Sequence, residues 1–140
     1  MLDRSLQQKS QENIDSADLL VDNGYFNASV HCSYYSCLQL MKLTIKKIGN
    51  IDFNTQRIDS RDKNNGGSHI YYLKTFRNLF LVGPFKVEIE RYTNEIRKLK
   101  ELRVQADYDP EKVDSLKSRS AVSKAQEFST FIFKEIKIKI

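Results

Sequence analysis

This sequence predicts an all-α fold, an antiparallel bundle of four to five helices, on three observations. Chain breakers are scarce, with 5 Gly and 2 Pro in 140 residues. Apolar residues recur at steps of three and four through most of the chain, the period of a helix with one buried face. Charged residues reach 29% and are mixed in sign, which suits solvated helix faces and disfavours both a loop-dense β fold and a disordered tail. A chain of 140 residues reads as a single domain over 1–140, long enough to bury a proper core.

The elements follow in order. Leu2 to about Asn23 forms a first amphipathic helix, with Leu6, Ile14, Ala17 and Val21 near one face and Leu20 beside them. Asn23-Gly24 is its stop, because Gly tolerates the left-handed conformation that ends helices. The second helix runs from Tyr25 or Phe26 to Ile48 and stops at Gly49-Asn50, with Val30, Tyr34, Cys37, Leu38, Met41, Ile45 and Ile48 as its buried stripe. A second, basic row on it holds His31, Tyr35, Lys42 and Lys46, with Gln39 beside it; surface, dimer seam and nucleic-acid face all fit such a row. The short link at Gly24 predicts that these two helices pack antiparallel. Residues 50–67 show no helical period, end in Asn64-Asn65-Gly66-Gly67 and read as a mobile loop, with Arg57, Arg61, Lys63 and the downstream Lys74 in or just after it. Ser68 is the expected N-cap of a third helix carrying Ile70, Leu73, Phe76 and Phe80, broken by Gly83-Pro84. The fourth helix carries Phe85, Ile89, Tyr92, Ile96, Leu99, Leu102 and Ala106. Asp109-Pro110-Glu111 reads as cap, N1 proline and first-turn acid of a fifth helix that buries Ala121, Ala125, Phe128 and Ile132. The closing FIFKEIKIKI alternates like a strand but has no partner strand, so a fraying helix end is expected.

Several functions are excluded or weakened at this stage. No run approaches the ~18 apolar residues of a membrane span, and the opening residues lack the apolar core of a secretory signal. A cytoplasmic protein with reduced thiols is the expectation. Cys32 and Cys37 stand five apart, on different sides of a helix, and read as small core hydrophobes. His31 and His69 have no Cys or His at ligand spacing, so no metal site is expected. Asn64-Asn65-Gly66-Gly67 lacks the Lys-Ser/Thr of a phosphate-binding loop, and neither a nucleophile elbow nor a paired-histidine zinc motif is present. No cofactor is implied. The acid pairs Glu88 with Glu95 and Glu90 with Glu101 look like exposed helix faces.

The net charge of +5 is uneven. Residues 1–41 carry −3, residues 42–82 carry +5, residues 83–109 balance and residues 110–140 carry +3. The basic excess in the middle and at the end favours a polyanion such as nucleic acid, or an acidic partner, although a solvated surface explains charge alone.

Leu102-Arg103-Val104-Gln105-Ala106-Asp107-Tyr108 is the most unusual segment. Arg103 and Asp107 are four apart and share a helix face. With Leu99 at the centre of the buried stripe, Arg103 falls about 40° away, at the margin of the core. A guanidinium there seeks a carboxylate or a phosphate. An intrahelical Arg103–Asp107 pair with Tyr108 packed on a neighbour is one reading; an anchor for a phosphodiester is the other.

Five segments together resemble the HEPN-domain family of helical, nucleotide-associated proteins. Ala17-Asp18-Leu19-Leu20 through Gly24-Tyr25-Phe26-Asn27-Ala28 is similar to the family's opening A-x-x-L-L…G-x-Y/F-x-x-A. His31-Cys32-Ser33-Tyr34-Tyr35-Ser36 with Lys42 resembles its YYA helix, and Ser68-His69 with Phe76 its third helix. Leu102 to Tyr108 resembles its LR-x-x-ADY signature, followed by Ala121 to Phe128 as A-x-x-A-x-x-F. The match spans about residues 14–132 in the right order. Active HEPN ribonucleases carry Arg, four to six residues, then His, and act across a homodimer. Arg103 takes the Arg position, but Tyr108 falls near the His position and no histidine follows. A phenol with pKa near 10 is a poor base at neutral pH. His31 or His69 substitutes only if folding or dimerisation brings one to Arg103.

Three functions stay open. The first is a HEPN-like homodimer binding RNA or nucleotide, which the resemblance implies could pair with a nucleotidyltransferase in a toxin–antitoxin-like or defence system. Its binding residues are His31, Tyr35, Lys42, His69 and Arg103. The second is a metal-independent endoribonuclease whose candidate catalytic residues are Arg103, Asp107 and Tyr108 with a displaced histidine. The third is a module that only recruits a partner protein.

Overall fold

The structure is a computed structural model that describes residues 2–108 and 113–140. Six α-helices, with no strand among the described residues, confirm the all-α class. They are α1 (Leu2–Asp22), α2 (Phe26–Gly49), α3 (Phe53–Ser60), α4 (Ser68–Asn78), α5 (Lys86–Tyr108) and α6 (Ser115–Thr130). A 3-10 turn at Lys63–Asn65 and a π-helical turn at Phe131–Glu135 complete the set. No helix is long and apolar enough to cross a membrane.

The fold is organised around α2, whose residues from Ser29 to Ile45 are mostly buried. α1 and α2 are antiparallel, as the short Gly24 link requires: Ala17 meets Ser29 near the link, Ser10 meets Ser36, and Asp3 pairs with Lys46 and Lys47 at the far end. Small residues let these two helices approach closely. Ser29 Oγ donates to the Ala17 carbonyl at 2.7 Å, and the Ser10 and Ser36 hydroxyls meet at 3.0 Å. Each buried hydroxyl is thereby satisfied, which removes most of the cost of burying it. The start of α6 reaches the start of α2, where Ser118 Oγ donates to the Phe26 carbonyl at 3.3 Å. On the other flank, Arg103 and Asp107 near the end of α5 meet Tyr34, Tyr35 and His31 near the start of α2. α5 is therefore antiparallel to α2.

An aromatic cluster closes the core. Phe128 lies edge-on to Phe76, with centroids 5.6 Å apart, and is tilted against Tyr92 at 5.5 Å. Phe131 packs on both Tyr92 and Phe85. The apolar stripes expected on α5 and α6 occupy this interior: Ile89, Tyr92, Ile96, Leu99, Ala121, Ala125, Phe128 and Ile132 are all buried.

Several expectations need correction. The stretch 50–67, expected to be a loop, contains α3 and the 3-10 turn. Asp52 caps α3 by accepting from the Thr55 N–H at 2.7 Å. Gln56 is buried and donates from Nε2 to the carbonyls of Ile51 at 2.8 Å and Lys42 at 3.1 Å, tying α3 to α2. Such a helix is held by the Gln56 amide and by Phe53 against the core rather than by an apolar stripe, so periodicity misses it. On α4 the buried face is Tyr71, Tyr72 and Phe76, which leaves Ile70 53% exposed. Ser68 is the first helical residue of α4 and Gly67 the cap. Asn50 takes the left-handed conformation that ends α2, with φ 57°. Gly49 serves a different need: a Cβ there would stand 2.9 Å from Leu79 Cδ2. Ile48, placed in the buried stripe, is largely exposed. The described part of α6 starts at Ser115, where Asp114 accepts from the Lys117 N–H at 2.8 Å; the start expected at Asp109-Pro110-Glu111 lies outside the described residues. At the C-terminus the helix ends at Glu135, Lys137 takes a positive φ of 63°, and Ile138 returns to the core.

Truncating Phe128 to Ala should cost about 3–5 kcal/mol, because it removes the central ring of the cluster. Ile48→Ala should cost well under about 1 kcal/mol. Urea unfolding of the two variants beside the parent checks the difference.

Candidate functional site

The site forms where three helices meet, and α2 supplies most of it. His31, Tyr34 and Tyr35 lie within little more than one turn of α2, and α5 runs antiparallel past them. The Arg103 guanidinium carbon sits 5.2 Å from the Tyr35 ring centroid and 5.5 Å from that of Tyr34. One turn on, Asp107 accepts from His31 Nε2. Arg103 Nη2 approaches the same carboxylate at 4.0 Å, on its other oxygen. From α4, His69 Nδ1 bonds the Tyr34 hydroxyl. Tyr35 stacks nearly parallel to His31, with centroids 6.4 Å apart and an interplanar angle of 12°.

Arg103 holds the position that sequence spacing assigns it, at the rim of the core, with its side chain 19% exposed. Two tyrosine faces replace part of its lost hydration through cation–π attraction. Its carboxylate partner is at the outer limit of an ion pair and is shared with His31. Arg103 Nε is buried with no hydrogen-bond partner among the described residues. The guanidinium is held in place more than it is neutralised.

The electrostatics are one-sided. Burial drives the His69 pKa from 6.5 down to about 4, and the charges of Lys100, Arg103 and Lys42 push it further the same way. Among the described residues, the charged side chains that shift His69 are cations. The ring is therefore neutral at pH 7, and its bond to Tyr34 joins two uncharged groups. Burial raises the Tyr34 pKa, against the opposing charge of Arg103, and keeps that phenol protonated. Lys42 lies 5.1 Å from the Tyr72 ring centroid, and its own pKa is lowered by burial.

The sequence-predicted residues divide clearly. Arg103, Asp107, His31, Tyr35 and His69 come together in one cluster, and both histidines reach the Arg103 neighbourhood within one subunit. Lys42 acts on the cluster by its charge. Tyr108 does not join: it is the last residue of α5 and is 82% exposed, so the packing expected of it is absent. Two residues were missed. Tyr34 reads as core in the sequence and is buried, yet its hydroxyl holds His69 and its face holds Arg103. Lys100, three residues before Arg103, adds the charge that His69 senses most strongly. The consecutive Tyr34-Tyr35 pair, one residue facing in and one out, was the available signal. Both thiols lie outside this chemistry. Burial, reinforced by Glu95, pushes Cys37 up to about 12, and burial also raises Cys32. Among the described residues, no group of three His, Cys, Asp or Glu side chains is placed to hold a metal ion.

No protein-family model, no curated protein and no solved structure matches this chain.

The depressed His69 pKa couples the site to stability. The unfolded chain binds a proton at pH near 6.5, which the folded ring refuses until about 4. Stability from this source is complete above about pH 6.5 and is lost as pH falls through that window. His69→Gln, which retains a hydrogen-bonding side chain but cannot titrate, should reduce the loss between pH 7 and 4 by about 1–2 kcal/mol after solvent screening. Urea midpoints of parent and variant at the two pH values measure it.

Proposed function

We propose that this protein binds RNA, taking a phosphodiester at the Arg103 cluster. One observation carries the reading: Arg103 lies against the rings of Tyr34 and Tyr35, Lys42 and Lys100 add their charge at His69, and Asp107, the one carboxylate among the described residues of the cluster, is divided between His31 and Arg103. A site with that excess of cations favours a phosphate anion, and its guanidinium is already oriented by two rings. Tyr35 is 37% exposed and stacked on His31, so it offers an aromatic face beside the phosphate position for a base to stack on. A single strand presents both features together, which favours RNA over an isolated phosphate.

The resemblance to HEPN proteins points the same way and supplies the wider reading. Within it, the chain acts as a homodimer and pairs with a nucleotidyltransferase in a toxin–antitoxin-like or defence system.

A second reading, metal-independent RNA cleavage, draws support from the His31–Asp107 pair. A carboxylate on Nε2 fixes the ring tautomer and leaves Nδ1 to accept a proton from a ribose 2′-hydroxyl. Incubating labelled single-stranded RNA with the protein in EDTA tests this. Cleavage that His31→Ala abolishes would establish the activity; intact RNA assigns the site to binding.

Arg103→Ala should weaken RNA binding by about 10–100-fold and lower the slope of log affinity against log salt by roughly one phosphate contact. Fluorescence anisotropy with labelled single-stranded RNA over a salt series measures both. Unchanged affinity in a folded Arg103→Ala protein would remove the proposal.

A further inference from the structure

A cavity of about 790 Å³ lies outside the Arg103 cluster. It is a groove along the seam between α4 and α5, walled by Lys74 and Arg77 on one side and by Arg91, Asn94 and Arg97 on the other, with Ile70 and Leu73 as apolar floor. Four cations face one lining acid, Glu90. Arg91 pairs with Glu95 at 3.6 Å. Arg97 donates to the neutral Asn94 amide, a contact that leaves its charge uncompensated. No acidic partner of Lys74, Arg77 or Arg97 occurs among the described ion pairs. The exposed Ile70 is the residue whose burial the sequence predicts and the fold refuses.

The groove adjoins the cluster. Leu73 follows His69 by one turn on α4, and Arg97 precedes Lys100 by three residues on α5, while Lys100 acts electrostatically on His69. One end of the groove therefore lies toward His69 on α4 and Lys100 on α5. At 1.5 Å per residue, Arg91 to Arg103 spans about 18 Å along α5. We propose that this groove is a single-strand subsite: it takes the RNA as the strand leaves the Arg103 cluster, with Lys74, Arg77 and Arg97 on successive phosphates and Ile70 and Leu73 under the sugars and base faces. This rests on the RNA-binding reading and extends it from one phosphate to a tracked strand of a few nucleotides. A cationic groove that follows the backbone binds with little sequence preference. An acidic amphipathic helix of a partner protein suits a groove of this outline too. Continuity with the cationic cluster favours the nucleic acid.

The test compares two labelled oligouridylates, of about 4 and about 12 nucleotides, by fluorescence anisotropy at low and moderate salt. For the parent, the longer strand should bind at least about 10-fold tighter, with a steeper salt slope. Lys74→Glu combined with Arg77→Glu should abolish that gain and leave the short-strand affinity intact. The milder Arg77→Gln with Arg97→Gln should halve the gain, and circular dichroism melts confirm that both proteins fold. Arg103→Ala should weaken both lengths together. Equal affinity of the parent for the two lengths, or a full length gain in the charge-reversed variant, would overturn the groove. Loss of short-strand binding in the parent, with the length gain intact and groove-dependent, would overturn the Arg103 reading alone. A helical Glu-Leu peptide that binds the parent through Lys74 and Arg77, with no length gain for RNA, would reassign the groove to a protein partner.

Discussion

A guanidinium laid across two adjacent tyrosine rings sets the geometry of everything around it. Removing an arginine from water costs several kcal/mol unless other groups replace the solvent. Here the faces of Tyr34 and Tyr35 supply much of the replacement, and they do so only in one register of α5 on α2. In that register the helical periods coincide. His31 is three residues before Tyr34 and Asp107 is four after Arg103, so their side chains meet on the next turn along the antiparallel pair. Tyr34, pinned by the same contact, points its hydroxyl to His69 on α4. One stacking arrangement thus assembles side chains from three helices.

The same arrangement determines the charge of the site. Asp107 has two oxygens and two claimants: one serves His31, and the other approaches Arg103 only to 4.0 Å. If the carboxylate satisfied the guanidinium in a bidentate fork, little attraction would remain for an external anion. The tyrosine faces hold Arg103 without cancelling its charge, and the field persists at His69, where Lys42 and Lys100 add to it. The ring answers by staying neutral. Burial is the first cause of that neutrality, and the three cations add to it in the same direction.

The buried stripes of α2, α5 and α6 were legible in the sequence because long amphipathic helices repeat their signal over several turns. Val30, Met41, Ile96 and Phe128 lie inside for the reason their spacing gives. α3 was not legible: its eight residues carry no stripe, and what anchors it is the Gln56 amide reaching the Lys42 carbonyl together with Phe53 against the core. The buried face of α4 was misplaced because Tyr71 and Tyr72 compete with Ile70 and Leu73 for the interior, and a stripe of two aliphatics cannot outbid two aromatic rings for burial. At the site, Arg103, Asp107, His31 and His69 were each visible as isolated possibilities. Their meeting depends on the α2–α5 register and the placement of α4, which are tertiary facts that no local spacing encodes. Tyr34 was hidden for a different reason: an apolar stripe accounts for a buried tyrosine completely and says nothing of its hydroxyl.

The two proposed readings, RNA binding and RNA cleavage, differ in what they ask of protons rather than of position. Transesterification needs an acceptor for the 2′-hydroxyl proton and a donor for the departing 5′-oxygen. His31 is the imidazole oriented by a carboxylate, Asp107. The donor is the difficulty. His69 is the other imidazole at hand, and a group with a pKa of about 4 carries almost no proton to give at neutral pH. Tyr34, its hydrogen-bond partner, is held by burial as a weaker acid than an ordinary phenol. A phosphate bound among Lys42, Lys100 and Arg103 would bring negative charge to His69 and raise its pKa, because three of the four causes that depress it are those cations. Burial, the first of those causes, would remain and even deepen under a bound strand. Within one subunit, then, the described side chains offer a guanidinium held by two rings and an imidazole oriented by a carboxylate, while the second imidazole carries almost no proton at neutral pH.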